Sequence, residues 1–206
     1  MSTEKRVEES RERLLSGVKK FRREVYPAQR AIYEDAVRQG QQPHALFITC
    51  ADSRIDPELL TQSGPGEIFV ARNVGNLVPA YGVMMGGVTA VIEYAVVAFG
   101  VSQIVVCGHT DCGAMKGLLN PESVSALPAV KEWLRHAEPA LSSMKAVELV
   151  ERNVLLQVHH LMTHPEVAER VADRTLAISG WVYDIAAGNV RVYDEALDQF
   201  VNSIAE

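Results

Sequence analysis

Apolar residues first recur at helical spacing. Val7, Leu14, Val18, Phe21 and Val25 form one stripe between Thr3 and Tyr26, the mark of an amphipathic helix. Pro27 is expected to stop that helix, and a second short one, about Ala28 to Arg38, to end at Gly40. Then the period changes. Ala45 to Cys50, Ile68 to Ala71 and Ile104 to Cys107 are short, nearly unbroken apolar runs, the pattern of strands buried on both faces of a parallel sheet. The mostly apolar stretch Gly87 to Phe99 supplies a crossover helix between the second and third of these strands. Downstream, helices are predicted over Pro128 to Glu138, Val147 to Thr163 and Pro165 to Val171. Thr175 to Ile185 reads as a strand that turns through Ala187-Gly188-Asn189 into an antiparallel Val190 to Tyr193. A final helix is predicted over Ala196 to Ile204.

The fold class that follows is α/β: a mostly parallel central sheet with an antiparallel C-terminal edge strand, flanked by helices and preceded by an N-terminal helical arm. At 206 residues one hydrophobic core suffices, so a single domain is expected, with residues 1–40 as the arm and 41–206 as the α/β core. No repeat or long linker divides it. Hydrophobic residues at 48% and charged residues at 22% place the chain among folded globular proteins. The net charge of -6 offers no field for nucleic acid, and the arm's Lys and Arg residues alternate with Glu as on a solvated helix face. No apolar run is long enough to cross a bilayer, and the start MSTEKRVEES lacks a signal-like apolar core, so a cytoplasmic location is expected. Three cysteines are too few for a disulfide framework, which leaves metal binding, catalysis or packing.

Cys50 ends the first predicted strand, while His109 and Cys112 follow the third, where open α/β sheets bind ligands beyond the strand carboxyl ends. A Cys2His set of this kind suits Zn²⁺, and three protein donors leave the fourth position to water, which is the catalytic rather than the structural arrangement. Metal so held lowers the pKa of bound water to about 7, making hydroxide available. Asp52, two residues past Cys50, can accept the hydrogen of that hydroxide, and Arg54 can keep the carboxylate ionised. Cys107, inside a strand, reads as a packed thiol, and the histidines at 44, 136, 159, 160 and 164 as packing or exposed residues with no proton shuttle assigned. Val70 to Asn76 lacks the glycine pattern of a phosphate loop.

Cys50-Ala51-Asp52-Ser53-Arg54 and Gly108-His109-Thr110-Asp111-Cys112-Gly113 resemble the C-x-D-S-R and H-x-x-C-G signatures of β-class carbonic anhydrases. Pro65 to Asn76, Ile92 to Val96 and Gly180 to Asp184 are similar to that family too, so the resemblance runs in order from about Leu14 to Phe200. It implies reversible hydration of CO2 to bicarbonate and a proton through a zinc-bound hydroxide, with one Zn²⁺ per chain. Cys50, His109 and Cys112 would be the metal ligands and Asp52 and Arg54 the orienting dyad. Gln41 and the backbone N–H of Gly113 would bind substrate oxygen, with Phe69, Val74 and Tyr94 lining the pocket. Gln41 resembles the plant-like subset with an open zinc site. The resemblance also implies a homodimer or higher homo-oligomer, with the arm on the partner. Two alternatives stay open: hydrolysis of carbonyl sulfide or carbon disulfide on the same site, and a noncatalytic zinc or bicarbonate-binding module.

Overall fold

A computed structural model describes residues 2–141 and 146–203. They fall into two compact units, Met1–Gln41 and Gln42–Glu206.

The first unit is helical throughout. α1 (Thr3–Lys20) starts at Ser2, whose hydroxyl accepts the N–H of Lys5, and α2 (Tyr26–Gln39) stops at Gly40, where φ is +77°. The expected break at Pro27 is absent. Between the two helices Phe21–Val25 forms a π-helical turn, closed by a hydrogen bond from Tyr26 N–H to the Phe21 carbonyl. Proline has no N–H to donate, and the wider turn lets the helix run past it without a break. Phe21, Tyr26 and Tyr33 pack ring to ring across this turn at centroid separations of 5.6 to 6.2 Å. Pairs such as Lys5–Glu9 and Arg30–Glu34 occupy the charged face. Val7, Leu14 and Val18, at 62%, 71% and 62% exposure, form an uncovered apolar stripe.

The second unit is built on a six-stranded sheet in the order β2-β1-β3-β4-β5-β6. The strands are β1 (Ala45–Cys50), β2 (Ile68–Asn73), β3 (Gln103–His109), β4 (Ala177–Asp184), β5 (Asn189–Asp194) and β6 (Gln199–Asn202). The first four run parallel, and β5 and β6 are antiparallel. Side-chain alternation splits the core by face. Leu46 and Ile48 of β1 and Ile104 and Val106 of β3 belong to the main cluster, while Phe47, Val105 and Cys107 form a smaller one with Ile55.

Helices cover both faces: α3 (Pro57–Thr61), α4 (Gly87–Glu93), α5 (Gly113–Leu119), α6 (Pro128–Leu134), α7 (Ala146–Leu161) and α8 (Pro165–Ala172). A π-helical segment, Tyr94–Ala98, extends α4, so the predicted crossover reaches almost its expected end. The helices α3 and α5 were not expected. α3 carries a start signal, with the Asp56 side chain accepting from Leu59 N–H and Pro57 in the first turn. The final helix expected over Ala196 to Ile204 is instead a turn followed by β6, with Ile204 itself outside the described residues. The Asp194 carboxylate accepts from the N–H groups of Ala196 and Leu197, and Asp198 takes a φ of +51°. That Asx turn reverses the chain before a helical turn can form, and Phe200 then packs against Tyr193 of β5, the two rings tilted at 54° with centroids 5.4 Å apart.

α7 lies on β3 and β4, where fully buried Val154 fits against two glycines. A Cβ on Gly180 would stand 2.9 Å from Val154 Cγ1, and one on Gly108 would stand 2.8 Å from Cγ2. A β-branched helical side chain cannot rotate away from both. Gly180→Ala is therefore expected to lower the unfolding free energy by about 1–3 kcal/mol in denaturant titration. In a Val154→Ala background the same change should cost much less; equal losses in the two backgrounds would exclude the contact.

Candidate metal centre

The sheet order creates the site. The chain leaves β1 toward β2 on one side and leaves β3 toward β4 on the other, so a crevice opens between the carboxyl ends of β1 and β3. Thr49 pairs with Cys107, which puts Cys50 beside Gly108 and next to His109 at that edge. Cys112 follows a tight turn in which Asp111 adopts a φ of +60°, and it caps the start of α5. The Cys50 and Cys112 sulfurs and a His109 ring nitrogen lie within 4.8 Å of one another, and all three residues are buried.

The donor set fits a metal ion. His109 Nδ1 lies 2.8 Å from the Thr110 carbonyl, which can only accept, so Nδ1 carries the hydrogen and Nε2 presents a lone pair. Nε2 is fully buried with no hydrogen-bond partner among the described residues. A buried acceptor left unpaired is costly unless something coordinates it.

The sulfurs are poised as an anion beside a thiol. Ionisation of Cys50 is eased mainly by the Cys112 thiol donating to it, against the cost of burial, with further help from the Gly75 N–H. The interaction with Cys50 in turn holds the Cys112 proton on, reinforced by burial. His109 is raised: burial opposes its charge, but the neighbouring Cys50 sulfur and the Thr110 carbonyl outweigh that. Cys107 lies on the opposite face of the sheet, completely buried, with its thiol pushed up to about 12 by desolvation.

Around the donors is a fixed polar frame. Arg54 grips Asp52 with two bonds, Nε to Oδ1 at 2.9 Å and Nη2 to Oδ2 at 2.7 Å, while its Nη1 reaches Asp111 Oδ2 at 2.7 Å. One guanidinium thus ties the loop after β1 to the loop after β3. Asp52 Oδ2 stands 3.9 Å from His109 Nε2, close to the donors but engaged by Arg54. Arg72 of β2 donates to the carbonyls of Cys50 (3.1 Å) and Asp52 (2.6 Å), pinning the same loop from below. Lys116 of α5 pairs with Asp111.

The third wall is the turn after β2. Gly75, at φ +82°, donates its N–H to Cys50 Sγ at 3.4 Å, and a Cβ there would stand 3.0 Å from Ala114 Cβ. Neighbouring carbonyls are held by distant side chains: Val74 by Trp133 Nε1 (2.8 Å), Gly75 by Asn153 Nδ2 (3.0 Å) and Val78 by His160 Nδ1 (2.8 Å). Asp111, Arg72, Gly75, Trp133 and Asn153 were not singled out from the sequence. Asp111, Arg72 and Gly75 lie within stretches that resemble the family, whereas Trp133 and Asn153 lie in none.

The expected substrate residues are dispersed. Val74 borders an apolar pocket of about 390 Å³ with Ala51, Asn73, Ala129, Val130 and Trp133. Phe69 and Tyr94 pack together with Phe99, at centroid distances of 4.7 to 6.1 Å, and Tyr94 is 53% exposed. Gly113 opens α5, so its N–H is among those without a partner inside the helix. Gln41 is exposed at the end of the first unit.

A family model described as carbonic anhydrase matches residues 45–190. A carbonic anhydrase of Pseudomonas aeruginosa is 47% identical over 94% of this chain and 91% of its own length. The structure of the β-carbonic anhydrase CcaA superposes with a TM-score of 0.88 at 41% identity, covering 94% of this chain and 99% of that one. The chain belongs to the β-carbonic anhydrase family. Among solved β-carbonic anhydrases, one of two described as tetrameric, from Sordaria macrospora, matches with a TM-score of 0.70 at 27% identity, over 93% of this chain and 97% of that one. The sequence resemblance to β-carbonic anhydrases and the α/β architecture inferred with it therefore hold.

The Arg54 clamp has a measurable signature. Its guanidinium holds the Asp52 carboxyl well below the usual carboxylate range, and with Lys116 it brings Asp111 down to about 2. Because these folded values are depressed, the ion pairs stabilise the fold above the ordinary carboxylate pKa near 3.8 and are lost as pH falls below it. Carboxyl ¹³C NMR should find Asp111 titrating near 2 and Asp52 lower still. Arg54→Leu should move both upward; an unmoved Asp52 would exclude the clamp as the cause.

Proposed function

We propose that this chain catalyses the reversible hydration of CO2 to bicarbonate and a proton, using one Zn²⁺ held by Cys50, His109 and Cys112. The observation that carries this reading is the buried trio of converging donors, with the His109 lone pair unpaired, in a chain of this family. Asp52 and the other carboxylates are not part of that donor group among the described residues, which fits a three-ligand catalytic site better than a closed structural one. When bound, zinc supplies the Lewis acidity that makes water a nucleophile at neutral pH.

The chain's own residues do the rest. Asp52, kept ionised by Arg54, accepts a hydrogen bond from the attacking oxygen and so aims a lone pair at the carbon of CO2. The apolar pocket beside Ala51 and Val74 suits an uncharged linear molecule. The Gly113 N–H donates to a substrate oxygen that gains charge as bicarbonate forms. Gln41, Phe69 and Tyr94 complete substrate binding in this proposal. Self-assembly is part of it as well, supported by the exposed stripe of α1 and by the tetrameric relatives. Three free cysteines are consistent with a reducing, cytoplasmic setting. No helix of the described residues is long and apolar enough to cross a membrane.

Metal content and stopped-flow CO2 hydration on one sample provide the test. Asp52→Asn should keep about one zinc per chain while turnover falls by about 10- to 100-fold, and Cys50→Ser should lose the metal. Full activity in Asp52→Asn would remove the orienting role. Rapid sulfide release from carbonyl sulfide with negligible CO2 turnover would replace the substrate.

A further inference from the structure

The peptide between Val74 and Gly75 has both ends engaged. Its carbonyl oxygen accepts from the Trp133 indole at 2.8 Å, and its N–H donates to Cys50 Sγ at 3.4 Å. The two bonds share one conjugated amide, so indole, peptide and sulfur form a single row of hydrogen bonds. A donor at the carbonyl draws electron density through the amide and strengthens its N–H as a donor. The next peptide is held as well, since Asn153 donates to the Gly75 carbonyl at 3.0 Å and Gln157 donates to Asn153 Oδ1 at 2.9 Å. Gly75, with Ala114 against it, leaves no room for the turn to shift toward α5.

We propose that Trp133 is a positioning residue for the metal centre, which through the Val74–Gly75 peptide directs and strengthens the N–H hydrogen bond to the Cys50 sulfur. This inference rests on the assignment of Cys50 as a metal ligand. An N–H aimed at a ligating sulfur withdraws charge from it, so the sulfur donates less to the ion and the ion remains a stronger Lewis acid. Trp133 stands on α6, outside every motif that supplies a ligand, yet it also borders the pocket that contains Ala51 and Val74. One side chain thus lines the pocket beside Ala51 and Val74 and tunes a donor of the site.

Two substitutions separate the N–H from the bulk of the ring. Trp133→Phe keeps an aromatic ring and deletes the donor; Trp133→His can place a ring N–H at nearly the position of the indole nitrogen while discarding the six-membered ring. With Co²⁺ replacing Zn²⁺ in the full chain, the sulfur-to-cobalt charge-transfer band is the readout. Trp133→Phe should shift that band to longer wavelength, and Trp133→His should restore it. Amide exchange at Gly75, read by NMR without metal, should quicken in Trp133→Phe alone. Parent-like band and exchange in Trp133→Phe, or equal changes in both variants, would overturn the positioning role. Absence of any charge-transfer band in the parent would instead overturn the ligand assignment, and this inference with it.

Discussion

The parallel pairing of β1 with β3 is the constraint from which the site follows. Its register sets Cys50 beside Gly108 and so next to His109 at the carboxyl edge of the sheet, and a shift of one residue would exchange the faces that one of the two strands presents to its surroundings. That register is secured by burial. Every residue of β1 is buried, and the side chains of β1 and β3 divide between two apolar clusters that exchange places if the pairing slips. The glycines at 108 and 180 let α7 press on β3 and β4 close to the donor, so the packing of a helix and the placing of a ligand share the same atoms.

Onto this frame the chain adds groups that tolerate negative charge. Cys50 meets a backbone N–H, His109 is oriented by a backbone carbonyl, and Asp52 is gripped on both oxygens by one guanidinium. Arg54 bridges loops from two strands and Arg72 joins a third, so the charged residues cross-link the ends of β1, β2 and β3. The geometry around the donors is thereby fixed before any ion arrives, which is what a site needs in order to direct charge during a reaction.

How much of this could be read in the sequence depended on the range of the interaction. The strands β1 and β3 were legible because burial on both faces leaves continuous apolar runs, β2 because its half-buried edge run from Ile68 to Ala71 is apolar as well, and the donors were legible because they fall where the runs of β1 and β3 end. Pro27 misled because its local preference to end a helix was absorbed by a π turn, and the residues from Ala196 onward misled because the Asp194 turn and pairing with β5 overrode a helical spacing. α3 and α5, of five and seven residues, are too short to show a period. Trp133 and Asn153 left no trace because their partners are backbone carbonyls 59 and 78 residues away, and a carbonyl has no side-chain identity to match.

The π turn at Phe21–Val25 also carries a geometric consequence for the arm. Such a turn holds roughly one residue more than an α turn, which rotates whatever follows by about 100° relative to an uninterrupted helix. Exposed Ile32, which an uninterrupted helix would set in line with Val7, Leu14 and Val18, is turned away from them, and exposed Val37 is turned into their line instead. One inserted residue thus decides which side chains of α2 continue the apolar line begun on α1, although both helices keep an ordinary α spacing within themselves.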